Sequence, residues 1–175
     1  MYRQMVTTAL LAAAAFALPA AGANTEEFHA SLSGFKEVPS AILSEGMGSL
    51  SLDLNQATQT IKFTLSFSRL SAPATQAHIH FGKVHTAGAV VVFFCSNLQG
   101  APPGVQACPA GGGTVSGTLT AANVLAVPGQ HISAGDFDAL TDALTSNTAY
   151  ANIHTTSFPG GEIRGQIRAE GDDED

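Results

Sequence analysis

Apolar side chains recur at every second position along three early segments: Phe28, Ala30 and Leu32; Leu50, Leu52 and Leu54; and Ile61, Phe63, Leu65 and Phe67. A period of two sends successive side chains to opposite faces, so each segment reads as a half-buried strand rather than a helix. The polar stretch "NQATQT", beginning at Asn55, separates the second and third and predicts an antiparallel hairpin. Further strands are expected at Gln76 to Phe81, Ala89 to Phe94, Thr114 to Leu119, Ala149 to Thr155 and Glu162 to Arg168.

One segment alone carries helical spacing. In "SAGDFDALTDALTSN", Phe137, Leu140 and Leu144 fall at i, i+3 and i+7, and Ser133 followed by Asp136 resembles an N-terminal cap. Short strands, Gly/Pro turns and one helical crossover define an all-β fold. The expected form is an antiparallel β-sandwich or flattened barrel of about eight strands with one short helix. There is no internal repeat and no domain linker.

The amino terminus has a different character. Arg3 precedes the apolar run "MVTTALLAAAAFAL", and Ala21-Gly22-Ala23 fits a small-residue cleavage site, so residues 1–23 read as a signal peptide. The run is shorter than the ~20 residues that a membrane span needs. No later stretch is longer, so no span is expected once the signal is removed, and a periodic strand domain over residues 24–168 should follow. Residues 169–175, within "AEGDDED", form an acidic tail expected to be disordered and solvated. The expected location is periplasmic or secreted.

Beyond Arg3 the chain carries 6 basic and 14 acidic side chains, a formal charge of −8, of which −5 lies in the tail. With no basic cluster to hold a phosphate backbone, nucleic acid is not an expected partner. Cys95 and Cys108 are the only cysteines and enclose a loop rich in Pro and Gly. In an exported chain this predicts a disulfide, which on the chain-entropy model stabilises by roughly 3 kcal/mol. A pair of metal thiolates would want a C-x-x-C spacing, which is absent.

The chemistry-bearing feature is "AHIHFGKVH", residues 77 to 85. On a strand, His78 and His80 share a face, with their backbones about 6.6 Å apart, so two imidazoles can converge on one ion. Imidazole is a common ligand of Zn and Cu, but two ligands make a poor site. The segment "YANIHTT" supplies a third by the same parity, placing Asn152 and His154 on one face of another strand. Asn152 is then a candidate to orient a ligand ring through a hydrogen bond. His85, five residues beyond His80, is a candidate fourth ligand from a loop, whereas His29 and His131 read as solvated.

The bland readings stand beside these. An H-x-H pair is also ordinary polar alternation, and Asp136, Asp138 and Asp142 read as the solvated face of the helix. There is no G-x-S-x-G elbow, no H-E-x-x-H helix and no carboxylate pair suited to glycoside hydrolysis. In "FPGGEIRGQIR", Glu162, Arg164, Gln166 and Arg168 alternate with Ile163 and Ile167. Glu162 and Arg164 could pair with each other; alternatively, Arg164 lies near the histidines and attracts an anion.

The ordered motifs "LSGFKEVPS", "AHIHFG", "GTLTAANV" and "YANIHTTSFPGGEIRGQI" resemble the CHRD family, a domain named for its occurrence in chordin and found in exported bacterial proteins. The resemblance runs from about Phe28 to Arg168 and implies an all-β extracellular domain. His78, His80 and His154 fall on the family's motif positions; His85 does not. The H-x-H strand with a distant histidine also looks like the copper ligand set of copper-zinc superoxide dismutase, although the further histidines and aspartate of that family's zinc subsite are missing. Three functional expectations follow. The first is an exported domain binding one copper or zinc ion, the second a non-catalytic extracellular module with a protein partner, and the third a copper-only enzyme similar to superoxide dismutase.

Overall fold

The computed structural model describes residues 25–171. The expected leader and the last four residues of the acidic tail lie outside the described residues. Nine strands and one α-helix follow in order: β1 (Thr25–Ser33), β2 (Met47–Asn55), β3 (Thr60–Ser68), β4 (Ala74–Phe81), β5 (Ala89–Ser96), β6 (Gly113–Leu119), α1 (Phe137–Thr145), β7 (Ala149–Thr155), β8 (Ile163–Gln166) and β9 (Arg168–Ala169). Eight of the strands form one nearly closed antiparallel sheet in the order β5-β4-β7-β8-β1-β2-β3-β6, and β9 pairs with β1. This is the all-β, barrel-like form that the alternation predicts.

The apolar positions of β1, β2 and β3 line the interior, where Leu52, Leu54, Ile61 and Leu65 are fully buried. β2 and β3 form the expected hairpin, paired from Met47↔Ser68 to Asn55↔Thr60. Asn55 shapes its turn by accepting a hydrogen bond from the Thr58 amide at 3.1 Å. On the other side, β4 lies between β5 and β7, and β7 between β4 and β8.

The barrel's open seam lies between β5 and β6, and the disulfide loop bridges it. Ser96 N–H of β5 donates to the Gln106 carbonyl, and the Gln106 side chain donates to the Ser116 carbonyl of β6 at 3.1 Å. Cys95 and Cys108 are bonded as expected and tie this loop to β5.

Two local expectations are corrected. The helix is capped by Asp136, whose carboxylate accepts from Ala139 N–H at 3.0 Å, rather than by Ser133. The helix therefore begins at Phe137, and Phe137, Leu140 and Leu144 are buried as the spacing requires. The expected last strand is broken at Ile167, which separates β8, paired with β7, from β9, paired with β1 at Phe28 and His29. The pairing continues past residue 168, since Glu170 N–H donates to the Glu27 carbonyl at 2.9 Å.

Candidate metal centre

On β4, Ile79 packs in the hydrophobic core, while His78 and His80 alternate with it and gather with His154 on the other face of the sheet. In register beside them, Tyr150 lies opposite His80 and Asn152 opposite His78. His154 lies opposite Gln76, so it reaches His78 on the diagonal rather than directly. An outer face would ordinarily be wet, yet His78, His80 and His154 are only 2 %, 8 % and 6 % exposed.

Loops and one aromatic ring roof the site. Phe93 of β5 packs its ring edge-on against His78, with centroids 4.2 Å apart. The loop after β4 brings the Gly88 carbonyl to His80 Nδ1 at 3.0 Å, and the turn after β7 brings the Pro159 carbonyl to His154 Nδ1 at 2.9 Å. Gly88 has to be glycine, because a Cβ there would collide with the Phe81 carbonyl.

Those two carbonyls set the tautomers. A carbonyl only accepts, so Nδ1 of His80 and of His154 carries the proton and each Nε2 keeps a lone pair. His154 Nε2 lies 3.2 Å from His78 Nδ1, while the Nε2 atoms of His78 and His80 are buried without a hydrogen-bond partner. One ligating nitrogen from each of the three residues lies within 4.8 Å of the others. Burial holds all three imidazoles neutral: His78 is lowered to about 2, first by desolvation and then by its histidine neighbours. His80 is lowered to about 4 by desolvation, against the Gly88 hydrogen bond and with help from His154 and Arg164. His154 is lowered by desolvation, opposed by the Pro159 hydrogen bond.

Tyr150 stacks on His80 at 4.7 Å and 6°, and the Arg164 guanidinium sits 3.5 Å from the centre of the Tyr150 ring. The Tyr150 hydroxyl accepts from Gly88 N–H at 3.1 Å and donates to the Gly88 carbonyl at 3.4 Å, so the residue that holds His80 is itself held by Tyr150. Asn152 does not orient a histidine. Its amide donates to the Glu37 carboxylate and to the Ile163 carbonyl, the latter at 3.0 Å. Gly161, at φ +129°, makes room for that pair, since a Cβ would lie 2.6 Å from Asn152 Oδ1 and 2.7 Å from Glu37 Oε1.

His85 is not brought to the triad. It is exposed in the loop after β4, in a left-handed conformation with φ +62°. Glu162 and Arg164 do not pair with each other, because each has other partners. Arg164 donates to the Lys83 carbonyl at 3.2 Å. Glu162 accepts from Ser44, from the Ser71 amide and hydroxyl, and from Thr155. Burial raises the Glu162 carboxyl, and these hydrogen bonds bring it below its ordinary value overall. His29 and His131 are exposed.

Sequence reasoning missed Glu37, Tyr150 and the two orienting carbonyls. Glu37 is 8 % exposed, and its carboxyl is pushed up chiefly by burial. Its one sequence signal was a lone acidic residue inside the motif "GFKEVPS".

The fold and site together define an all-β, barrel-like domain with a buried histidine triad on the outer face of its sheet. The CHRD domain model matches residues 28–167, most of the chain, and the protein belongs to the CHRD family. Neither the curated proteins nor the solved structures contain a match to it. Membership marks an extracellular-type module, and the disulfide fits an oxidising compartment. Among the described residues, no helix is long and apolar enough to cross a membrane.

Proposed function

We propose that this CHRD domain is exported, to the periplasm or beyond, and binds one transition-metal ion, copper or zinc, through His78, His80 and His154. The observation that carries the reading is the pair of buried, unpartnered Nε2 atoms within a neutral three-histidine cluster. Buried polar atoms are nearly always satisfied, and an unsatisfied nitrogen beside two other lone pairs is a donor set without its acceptor. Two nitrogens each about 2.0 Å from one ion at a tetrahedral angle stand roughly 3.3 Å apart. The ligating nitrogens of the triad lie within 4.8 Å of one another, so an ion would draw them closer.

Neutral imidazoles bind metal without first releasing a bound proton, and carbonyls on the far nitrogen raise ligand basicity. The set suits copper and zinc alike, and with three protein ligands a bound ion would keep a position for water or another small ligand.

The test is metal analysis of protein exported to the periplasm, together with His78→Ala and His154→Ala. Roughly one copper or zinc per chain in the wild type, lost in both variants, is the expected result. Wild-type protein that carries none and takes up none at micromolar metal would overturn the reading. A superoxide-dismutase-like reaction would further require copper and would vanish in His80→Ala. The second reading, an interaction module, is favoured by Phe35 and Leu43, which are 67 % and 91 % exposed. It predicts partner capture that Phe35→Ser with Leu43→Ser abolishes while metal content is unchanged.

A further inference from the structure

Arg164 is 3 % exposed, yet among the described residues no carboxylate pairs with it. Its hydrogen bond goes to the Lys83 carbonyl, and its flat face lies on Tyr150. A guanidinium offers five N–H donors in a fork that matches a carboxylate, and burying that charge with no carboxylate bonded to the fork is costly. Glu37 lies within electrostatic reach of Arg164 but turns its carboxylate to the Asn152 amide rather than bonding the guanidinium.

Arg164 lines a cavity of about 160 Å³ together with Lys36, Arg168, His85, Phe35 and Val84, and among the described residues no acidic side chain lines it; Lys36 Nζ also donates to the Ser31 carbonyl at 3.0 Å. The chain as a whole is acidic, with a formal charge of −7, and beyond Arg3 it has only 6 basic residues. Lys36, Arg164 and Arg168 are three of them, so half of the positive charge of the domain is gathered at one small groove. The lip is apolar, since Phe35 and Val84 are 67 % and 38 % exposed.

We propose that this groove is a receptor for a small organic carboxylate. Its carboxylate is received by the Arg164 fork between Lys36 and Arg168, and its apolar part lies against Phe35 and Val84. The cavity is below the several hundred Å³ typical of drug-sized ligands, which sets the size class at a single ring or a short branched chain. A fully polar anion such as phosphate would satisfy the cations but leave Phe35 and Val84 in water, so the apolar lip selects the organic anion. The site is separate from the histidines: Tyr150 stands between Arg164 and His80, in contact with both. The proposal does not rest on the metal reading and is tested without metal.

The experiment is a titration of the chelator-treated full-length protein with benzoate, followed by amide chemical shifts, with inorganic phosphate as the comparison. The expected result is saturable shifts confined to residues around 34–36, 83–85 and 164–168, with a dissociation constant of about 1 mM or tighter. Phosphate should bind several-fold more weakly. Lys36→Gln and Arg168→Gln should each weaken benzoate by up to about fivefold, the scale of a partly exposed charge pair. Arg164→Lys, which keeps the charge but removes the fork, should weaken it by at least about tenfold. His78→Ala should leave binding unchanged. No saturable shift by about 10 mM, or phosphate binding as well as benzoate, would overturn the proposal. So would indifference to both Lys36→Gln and Arg168→Gln, which stand at the rim and preserve the fold if Arg164→Lys does not.

Discussion

The two sides of the barrel treat their outer faces differently. Along β1, β2 and β3, buried and exposed positions alternate, and Ser31, Ser49, Ser51 and Thr64 meet water. Along β7 every residue from Ala149 to Thr155 is buried, and the outer face carries Tyr150, Asn152 and His154. The first region follows from hydrophobic patterning alone. The second sets polar side chains beneath a roof of loops, which costs desolvation that the apolar core does not require. A fold would not need that arrangement, so its explanation has to come from what the buried groups do.

Paired substitutions on the two faces of one strand test the contrast most strongly. Leu52→Ala should destabilise by about 2–5 kcal/mol, while its outer neighbour Ser51→Ala should stay within about 0.5 kcal/mol. On β7, Ile153→Ala should cost as much as Leu52→Ala. Its outer neighbour Asn152→Ala should still cost about 1–3 kcal/mol, because the Glu37 carboxylate and Ile163 carbonyl lose their donor. Urea denaturation of the four variants reads the difference. If Asn152→Ala proved as harmless as Ser51→Ala, the roofed face would be no more than a surface.

Acid should separate the regions next. The folded triad holds its imidazoles below their ordinary value, so as pH falls below about 6.5 the unfolded chain takes up protons first. Stability present at pH 7 is therefore lost on the way down to about 4, where His80 follows, and toward about 2 for His78. The loss should reach on the order of a few kcal/mol. Glu37, whose carboxyl burial pushes up, contributes with the opposite sign at the lower end of that window. Urea midpoints of chelator-treated protein between pH 7 and 4 measure the slope, and His80→Phe, which cannot titrate, should flatten it. An unchanged slope in that variant would mean that His80 is not held neutral by the fold.

The same contrast explains what was legible in the sequence. Phe63 and Leu65 announce their face by period, and so do His78 and His80, because parity on a strand is a property of the backbone. Parity also placed His154 on the correct face of its strand. It could not supply the register, in which His154 lies opposite Gln76 and meets His78 diagonally. The roof was illegible for a different reason. Gly88 and Pro159 act through backbone carbonyls, which every residue has, and Glu37 comes from a connection without periodicity. Asn152 looked like a partner for a histidine because only its face could be read, whereas its actual partner, Glu37, lies 115 residues away in the chain. The break at Ile167 was hidden because an apolar residue in an alternating run fits a continuous strand and a change of partner equally well.

The finest test concerns how the roof holds one ligand. Tyr150→Phe keeps the ring on His80 and beneath Arg164 and removes only the hydroxyl, which accepts from Gly88 N–H and donates to the Gly88 carbonyl. That loss should cost about 1–2 kcal/mol of stability, the net worth of one hydrogen bond and a second, longer one. Its effect on metal should be larger in proportion, because the hydroxyl also bonds the Gly88 carbonyl that fixes His80 Nδ1. Removing a group that orients a ligand typically weakens metal binding by about 10–100-fold, and here the effect is relayed through Gly88, so the expected weakening lies near the lower figure. A competition titration with a chromophoric chelator, alongside a urea curve, separates the two quantities. Equal metal affinity with reduced stability would make Tyr150 a packing residue like those of β1 to β3, whereas weakened metal binding with near-normal stability would show that the roofed face is organised around the triad.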